Sequence, residues 1–315
     1  MNHIKNFKNL TKKDVGVAGG KGASLGEMTQ AKIPVPPGFV ILASAFDRFL
    51  EETDLFQAIQ AELDKVNYDD VNSVDKASAV IRDLIHDVKM PEDLETDILK
   101  DFKKLDSKYV AVRSSATAED SSVASWAGEL ESYLDTTEES VLTNVKKCWS
   151  SLFTPRAIFY RKEKELLKTK ISVAVVVQTM VESEISGICF TVHPVTEDKN
   201  QMIIEAGLGL GEAIVSGSIT PDSYVLDKTD WSLMDVNISN QERKIVRSRK
   251  KEGGVEWVNV ADSDQEKQKL SGKEIVELAK ICDGIEKHYK KPQDIEWARA
   301  GGKFYITQSR PITTL

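Results

Sequence analysis

The chain has 315 residues, 41% of them apolar and 29% charged, and its 50 acidic residues against 42 lysines and arginines give a formal net charge of −8. That length suggests two domains or one large domain of two lobes, and the apolar share excludes wholesale disorder. The acidic balance argues against a general nucleic-acid binder, whose affinity comes largely from neutralising phosphates.

Cys148, Cys189 and Cys282 lie far apart and the histidines are scattered, so no clustered ligand set for structural zinc is present. Sparse, unpaired cysteines suit a reducing cytoplasm. The first ten residues carry lysines but no apolar run, which does not read as a secretion signal. The most apolar stretch, 171–177, is far too short to span a bilayer. The expectation is a soluble, cytoplasmic protein.

In chain order, residues 15–22 form a glycine-rich segment, and 23–31 follow as a helix with Leu25 and Met28 on one face. Pro34-Val35-Pro36-Pro37-Gly38 breaks that helix, and 39–43 reads as a strand. Residues 44–105 are helical in period, highly charged and read as scaffold. A buried strand at 109–113 runs into a Ser/Thr-rich loop, 114–125, followed by a strand near 129–134. Helices are expected at 141–152 and at 155–167, the second with Thr154 as N-cap and Pro155 at its first position. Strands follow at 173–177, 187–192 and 202–205, and 220–262 alternates as antiparallel β. The basic run 243–251 reads as a solvated hairpin or loop. Ser271 and Glu274 form a capping box for a helix with Ile275, Leu278, Cys282 and Ile285 on one face. A terminal hairpin is expected from 294–298 and 304–310 around Gly301-Gly302. Strands and helices mix without βα alternation, which implies α+β lobes.

Several residues could carry chemistry. Gly19, Gly20 and Gly22 surround Lys21, and glycines let backbone N–H groups approach an anion beside a mobile charge. This is no Walker A loop, because position 15 is valine and position 22 is neither Ser nor Thr. A plain glycine turn is the bland alternative. Arg113 ends an apolar strand, where its planar fork suits phosphate, although a structural Arg–Glu pair fits as well. Gly207-Leu208-Gly209-Leu210-Gly211-Glu212 fails the dinucleotide fingerprint and reads as a tight turn. His193 reads as a loop-structural histidine.

The hairpin is more informative. A turn centred at Gly301 pairs residue 296 with 306, and one at Gly302 pairs 296 with 308. Either register puts Glu296, Gln308 and Arg310 on one face, with Trp297 and Tyr305 on the other. A carboxylate, an amide oxygen and a guanidinium together suit Mg²⁺ on a polyphosphate, because Mg²⁺ takes few protein oxygens. A surface Glu–Arg pair is the alternative.

Taken together, Val17-Ala18-Gly19-Gly20-Lys21-Gly22-Ala23-Ser24-Leu25-Gly26-Glu27-Met28, Pro34-Val35-Pro36-Pro37-Gly38-Phe39 and Val112-Arg113-Ser114-Ser115-Ala116-Thr117-Ala118-Glu119-Asp120 resemble the phosphoenolpyruvate synthase (pyruvate, water dikinase) family. So do Ala127-Gly128 with Glu131, Cys148-Trp149-Ser150-Ser151-Leu152-Phe153-Thr154, Asp294-Ile295-Glu296-Trp297 and Gln308-Ser309-Arg310-Pro311. Rifampicin phosphotransferases and pyruvate, phosphate dikinase share this module. The resemblance implies an α+β, two-lobed ATP-grasp fold with the nucleotide between the lobes, which are expected at 1–181 and 182–315. It implies ATP and Mg²⁺ as ligands. Lys21, Arg113 and Arg310 would contact phosphates, and Glu296 and Gln308 would hold the metal. Gly128 and Ser132 would line the phosphate side. Gln178, with backbone groups of Met180 and Val181, would meet the adenine.

In the family, the β-phosphate of ATP passes to a histidine on a swivelling domain and then to pyruvate or a rifamycin. None of this chain's histidines sits in the Gly/Thr-rich phosphohistidine motif. The chain is therefore expected to be the phosphoryl-donating part alone, either a piece of a longer polypeptide or a natural split subunit. Its partners would be the phosphohistidine and acceptor-binding domains, with no nucleic acid and no membrane. A rifampicin phosphotransferase module and a stand-alone regulatory nucleotide-binding subunit remain the alternatives.

Overall fold

The computed structural model describes residues 3–117, 131–166, 172–248 and 254–313. The chain divides into two compact units, Met1–Glu27 with Pro37–Met180, and Met28–Pro36 with Val181–Leu315. The sequence alone predicts a single boundary after 181, whereas 28–36 belong to the second unit.

The first unit contains β1 (Ile4–Asn6), most of α1 (Val15–Gln30), β2 (Gly38–Ile41) and four helices, α2 (Ala43–Glu52), α3 (Leu55–Leu63), α4 (Val71–Asp87) and α5 (Glu92–Lys104). Next come β3 (Val110–Ala116), β4 (Ser132–Thr136), α6 (Val141–Ser150), α7 (Pro155–Glu163) and β5 (Val173–Thr179). The strands form a five-stranded sheet in the order β1-β2-β5-β3-β4, and every pairing is antiparallel. Sequence sets these elements locally. Asp70 caps α4, and Thr154 caps α7 by accepting from the Ala157 N–H at 3.1 Å with Pro155 behind it. The β-branched run of β5 is buried at nearly every position, as a central strand requires.

One sheet face carries the core. Ile41, Val110, Val112, Val175 and Val177 pack with α2, α4, α5 and α6 around Trp149, whose ring lies 5.7 Å from Phe46 and 5.0 Å from Phe49. Truncating a buried tryptophan of this kind costs about 3–5 kcal/mol. The opposite face receives α1.

Here the structure corrects the reading of a glycine turn ahead of a helix at 23–31. The glycines are themselves helical, and the turn is reduced to one kink at Gly19, with φ 69° and ψ 170°. Strand β3 also runs on through Ser114–Ala116, where the sequence alone predicts the loop.

The second unit is built on an antiparallel sheet of order β13-β12-β6-β7-β8-β9. Its strands are β6 (Ile185–Phe190), β7 (Gln201–Leu208), β8 (Asp222–Asp227), β9 (Leu233–Asn237), β12 (Gln293–Ala300) and β13 (Lys303–Pro311). The short α8 (Glu212–Val215) follows β7, and β10 (Arg243–Arg247) pairs β11 (Val255–Asn259) as a separate ribbon. Then come α9 (Asp262–Gln265) and α10 (Gly272–Tyr289), whose Ser271/Glu274 capping box forms as expected. Its buried Ile275, Leu278, Cys282 and Ile285 pack toward β7 and β12. The architecture is thus mixed helix and sheet, with purely antiparallel sheets. Among the described residues no helix is long and apolar enough to cross a membrane.

Candidate functional site

The predicted residues fall on both units. In the first, Arg113 on β3 pairs directly with Ser132 on β4, and Ala111 pairs with Gln178 on β5. Antiparallel partners share a face, as do residues two apart in a strand, so Arg113, Ser132, Gln178 and Ser115 occupy the face that receives α1. Lys21 on α1 and Arg113 are half-buried, Ser132 is exposed and Gln178 is buried. Gly128 lies outside the described residues. The Met180 N–H donates to the Tyr109 carbonyl at 3.1 Å, and the Val181 carbonyl accepts from the Ser183 N–H at 2.8 Å. Half of the backbone groups expected to meet an adenine are therefore already engaged.

Behind Arg113, Glu131 fastens β4. Its carboxylate takes a bidentate grip from Arg82 at 2.9 and 3.2 Å and a hydrogen bond from the Tyr133 hydroxyl. Its backbone carbonyl accepts from the N–H and hydroxyl of Ser114 at 3.1 and 2.9 Å. Burial, and then the charge of Glu131, push the Cys148 thiol up, while Lys21 lies near enough to pull it down. Cys148 is thus an inert core thiol rather than a nucleophile.

In the second unit the terminal hairpin turns through Gly301 and Gly302, both at positive φ, 55° and 74°. Ala300 pairs Lys303 and Trp297 pairs Ile306, but past a register shift Glu296 pairs Gln308 and Asp294 pairs Arg310. Glu296, Gln308 and Arg310 share one face, as expected. Tyr305 is a correction. It pairs Ala298 and so lies on the Glu296 face, because the bulge changes strand parity between Tyr305 and Gln308. Trp297, 1% exposed, points the other way with buried Ile295 and Ile306.

Sequence reading missed two carboxylates here. Asp294 grips Arg310, accepting from Nε at 2.9 Å and from Nη2 at 2.8 Å. Its carboxyl is pushed up by burial, against Arg310, with Glu296 adding to the rise. The parity rule applied two residues before Glu296 finds it. Glu205 on β7 lies on the same face, aligned with Glu296 through Ile188 of β6, and burial followed by Asp294 raises its pKa. Only the tertiary strand order brings it there.

Gln308 is 7% exposed and its Oε1 has no hydrogen-bond partner among the described residues. A buried carbonyl oxygen left unpaired costs about 1–3 kcal/mol, and such an atom beside a carboxylate fits a hard cation. Among the described residues no cluster of three His, Cys, Asp or Glu side chains could hold a metal by itself. A carboxylate and an amide oxygen on one face, as Glu296 and Gln308 are, have the hard-donor chemistry that Mg²⁺ accepts while completing its shell from phosphate and water.

The same unit contains a cavity of about 450 Å³ lined by Glu182, Ser183, Leu210, Val246, Arg247, Glu256 and Val258. Within the Gly207–Glu212 segment Gly207 and Leu208 still belong to β7 and Glu212 opens α8, so the expected tight turn is confined to Gly209-Leu210-Gly211, where the Gly209 carbonyl accepts from the Ser183 and Ser186 hydroxyls at 2.9 and 2.7 Å. His193 Nδ1 accepts from the Val195 and Thr196 N–H groups, both at 3.2 Å, which makes it a turn-closing residue. Of the basic run 243–251, Arg243–Arg247 pairs with Val255–Asn259 and Arg243 stacks 4.4 Å from the Trp257 ring centre, while 249–251 lie outside the described residues.

The family model described as "Pyruvate phosphate dikinase, AMP/ATP-binding domain" matches residues 15–315. The chain is 48% identical to a probable phosphoenolpyruvate synthase of Methanocaldococcus jannaschii, covering 100% of this chain and 27% of that protein. It is 44% identical to a probable phosphoenolpyruvate synthase of Methanothermobacter thermautotrophicus, covering 99% and 46%. Identity to the rifampicin phosphotransferase of Bacillus subtilis is 38%, covering 97% and 35%. The chain thus spans less than half the length of these curated relatives.

Proposed function

Because the chain belongs to the pyruvate phosphate dikinase AMP/ATP-binding domain family, we propose that it is the Mg·ATP-binding, phosphoryl-donating part of a phosphoenolpyruvate synthase with an ATP-grasp arrangement. The buried Gln308 Oε1, which has no hydrogen-bond partner among the described residues and faces Glu296, carries this reading, because it is a metal-type donor held on a face that also presents Arg310. Glu296 and Gln308 would hold Mg²⁺, which when bound neutralises charge on the β- and γ-phosphates. Arg310 binds phosphate through a guanidinium whose plane Asp294 fixes with two hydrogen bonds. Lys21 and Arg113 supply positive charge where the transferring phosphate develops negative charge. Gln178, the Met180 carbonyl and the Val181 N–H orient the adenine, and Gly128 and Ser132 line the phosphate side.

Within the full reaction, the β-phosphoryl group ends on a histidine nitrogen, AMP leaves, and water takes the γ-phosphate away as phosphate. The four histidines of residues 1–315 are engaged otherwise. His3 bonds Ser44, His86 bonds Ser150, His193 closes a turn and His288 meets Tyr289 edge-on. Because none of them sits in a Gly/Thr-rich phosphohistidine motif, the acceptor is assigned to a separate phosphohistidine domain. The higher identity to phosphoenolpyruvate synthases favours pyruvate over a rifamycin as final acceptor.

The test is to measure Mg·ATP binding by the chain, then AMP release with and without an added phosphohistidine domain. Binding, with AMP formed only when that domain is present, is expected. Absence of nucleotide binding overturns the reading, and pyruvate-dependent AMP formation by the chain alone overturns its division of labour.

A further inference from the structure

In an uninterrupted α-helix the Gly22 N–H would bond the Ala18 carbonyl four residues back. In α1 a side chain from another element occupies that bond. The Ser115 hydroxyl donates to the Ala18 carbonyl at 3.0 Å and accepts from the Gly22 N–H at 3.3 Å. Insertion of a side chain into the i→i−4 ladder is a physical cause of a sharp kink, and the kink falls inside this span, at Gly19. Gly19 adopts a conformation open essentially to glycine alone. A Cβ there would also lie 2.1 Å from Ser115 Oγ and 2.4 Å from the Ser115 carbonyl oxygen, so the helix is pressed directly onto β3.

Ser115 is fully buried, and its single donor is spent on Ala18. It therefore touches no ligand. What it does is mechanical. Beyond the kink the helix restarts at Gly20, so Lys21 takes a first-turn position at the positive end of a new helix dipole. The strand that supplies the hydroxyl carries Arg113 two residues earlier, on the same face. One hydroxyl thus ties the backbone next to Lys21 to the strand of Arg113.

We propose that Ser115 is a positioning residue for phosphate recognition, setting Lys21 relative to Arg113 by breaking and bridging the Ala18–Gly22 helix bond. The inference rests on the Mg·ATP reading above and adds a residue that acts without touching the nucleotide. In Ser115→Ala the Ala18–Gly22 bond is free to close and the kink to relax.

The experiment compares the full chain with Ser115→Ala for binding of tripolyphosphate, Mg·ATP and adenosine, with melting temperature and Gly22 amide hydrogen exchange recorded alongside. The expected result is about a tenfold loss for tripolyphosphate and Mg·ATP with adenosine unchanged. A purely structural hydroxyl would lower the melting temperature and leave the phosphate-to-adenosine ratio fixed. Should Ser115→Ala not fold, Ser115→Cys is measured in the same way, since it keeps the side-chain size and loses most of the hydrogen-bonding strength. Wild-type binding with unchanged or uniformly reduced binding by the variant overturns this inference alone. A wild-type chain that binds neither tripolyphosphate nor Mg·ATP overturns the nucleotide reading and this inference with it.

Discussion

Glu296 and Gln308 face each other because Thr307 is an extra residue in β13. The two-residue Gly301-Gly302 turn pairs Ala300 with Lys303, and unbroken pairing from there would set Glu296 opposite Thr307. Gln308 and Arg310 would then point to the Trp297 side. The register shift between Glu296 and Trp297 absorbs Thr307 and returns both to the Glu296 face. Apolar Phe304 and Ile306 remain on the buried side of the strand they share.

Glu296→Gln keeps the shape of that pair and removes its charge. Phosphoryl transfer to a supplied phosphohistidine domain should fall on the order of 10²–10³, the cost of one preorganised electrostatic contact. Nucleotide affinity should change far less, because Gln178 and the Met180 backbone are untouched. An ordinary cross-strand pair is worth under about 1 kcal/mol and predicts near-neutral behaviour, so wild-type transfer rates would remove the metal assignment.

Gln308→Leu should separate stability from function by sign. The wild-type side chain carries a buried oxygen without a hydrogen bond among the described residues, and replacing it with a similar apolar volume removes that penalty. The melting temperature should stay level or rise while Mg²⁺-dependent ATP binding is lost. A marked fall in melting temperature would mean that the oxygen has a structural partner after all.

Lys21→Ala and Arg113→Ala should each weaken ATP binding or slow transfer, by about 10²–10³ where the contact is made in the transition state. Both side chains are half-buried at the margin of the core, so circular dichroism should report an intact fold. Unchanged transfer by a folded Lys21→Ala chain would sink its assignment.

Lys269→Met probes a feature with no tie to phosphate. Asp222 and Lys269 are 0% and 1% exposed at their side chains, with Nζ and Oδ1 2.9 Å apart. Asp222 also accepts from the Tyr224 hydroxyl at 2.7 Å and the N–H groups of Ser239 and Lys269 at 3.0 and 2.9 Å. Removing the ammonium strands a buried carboxylate, which costs about 3–5 kcal/mol. Denaturant unfolding should register that loss, and a loss below about 1 kcal/mol would show that water or a shifted side chain compensates.

Local signals carried much of this architecture. The Thr154-Pro155 start of α7, the Ser271/Glu274 box of α10 and the valine run of β5 each depend on neighbours in sequence, and each formed. The conformation of the glycine segment is not legible locally, because its kink is imposed from outside. Nothing within residues 15–22 announces that Ser115, 97 positions from Ala18, will enter the helix ladder. The shared face of Glu296, Gln308 and Arg310 was legible from strand parity, whereas the Tyr305 face was not, since a bulge leaves no periodic trace. Asp294 obeys the same parity as Glu296 and is equally legible. Glu205 depends on β6 lying between β12 and β7, an order that no local pattern encodes.

Glu205 gives a pH test of that strand order. Burial, and then the nearby charge of Asp294, raise its carboxyl above its ordinary value of 4.5. A raised folded-state pKa means that the native chain holds this proton more tightly than the unfolded one. Its contribution to stability is full below about 4.5 and is lost as pH rises through the raised folded value. Glutamine has the same shape and never ionises, so Glu205→Gln escapes that loss. The two proteins should melt together at about pH 4, and the variant should melt higher at about pH 7. The gap should open upward through the window between the ordinary and the raised pKa, then level off. It should also shrink in Asp294→Asn, since removing that charge takes away the second cause of the rise while leaving burial in place. A gap that is the same at both pH values would mean that Glu205 is solvated, and that β7 does not set its side chain against the Asp294–Glu296 face.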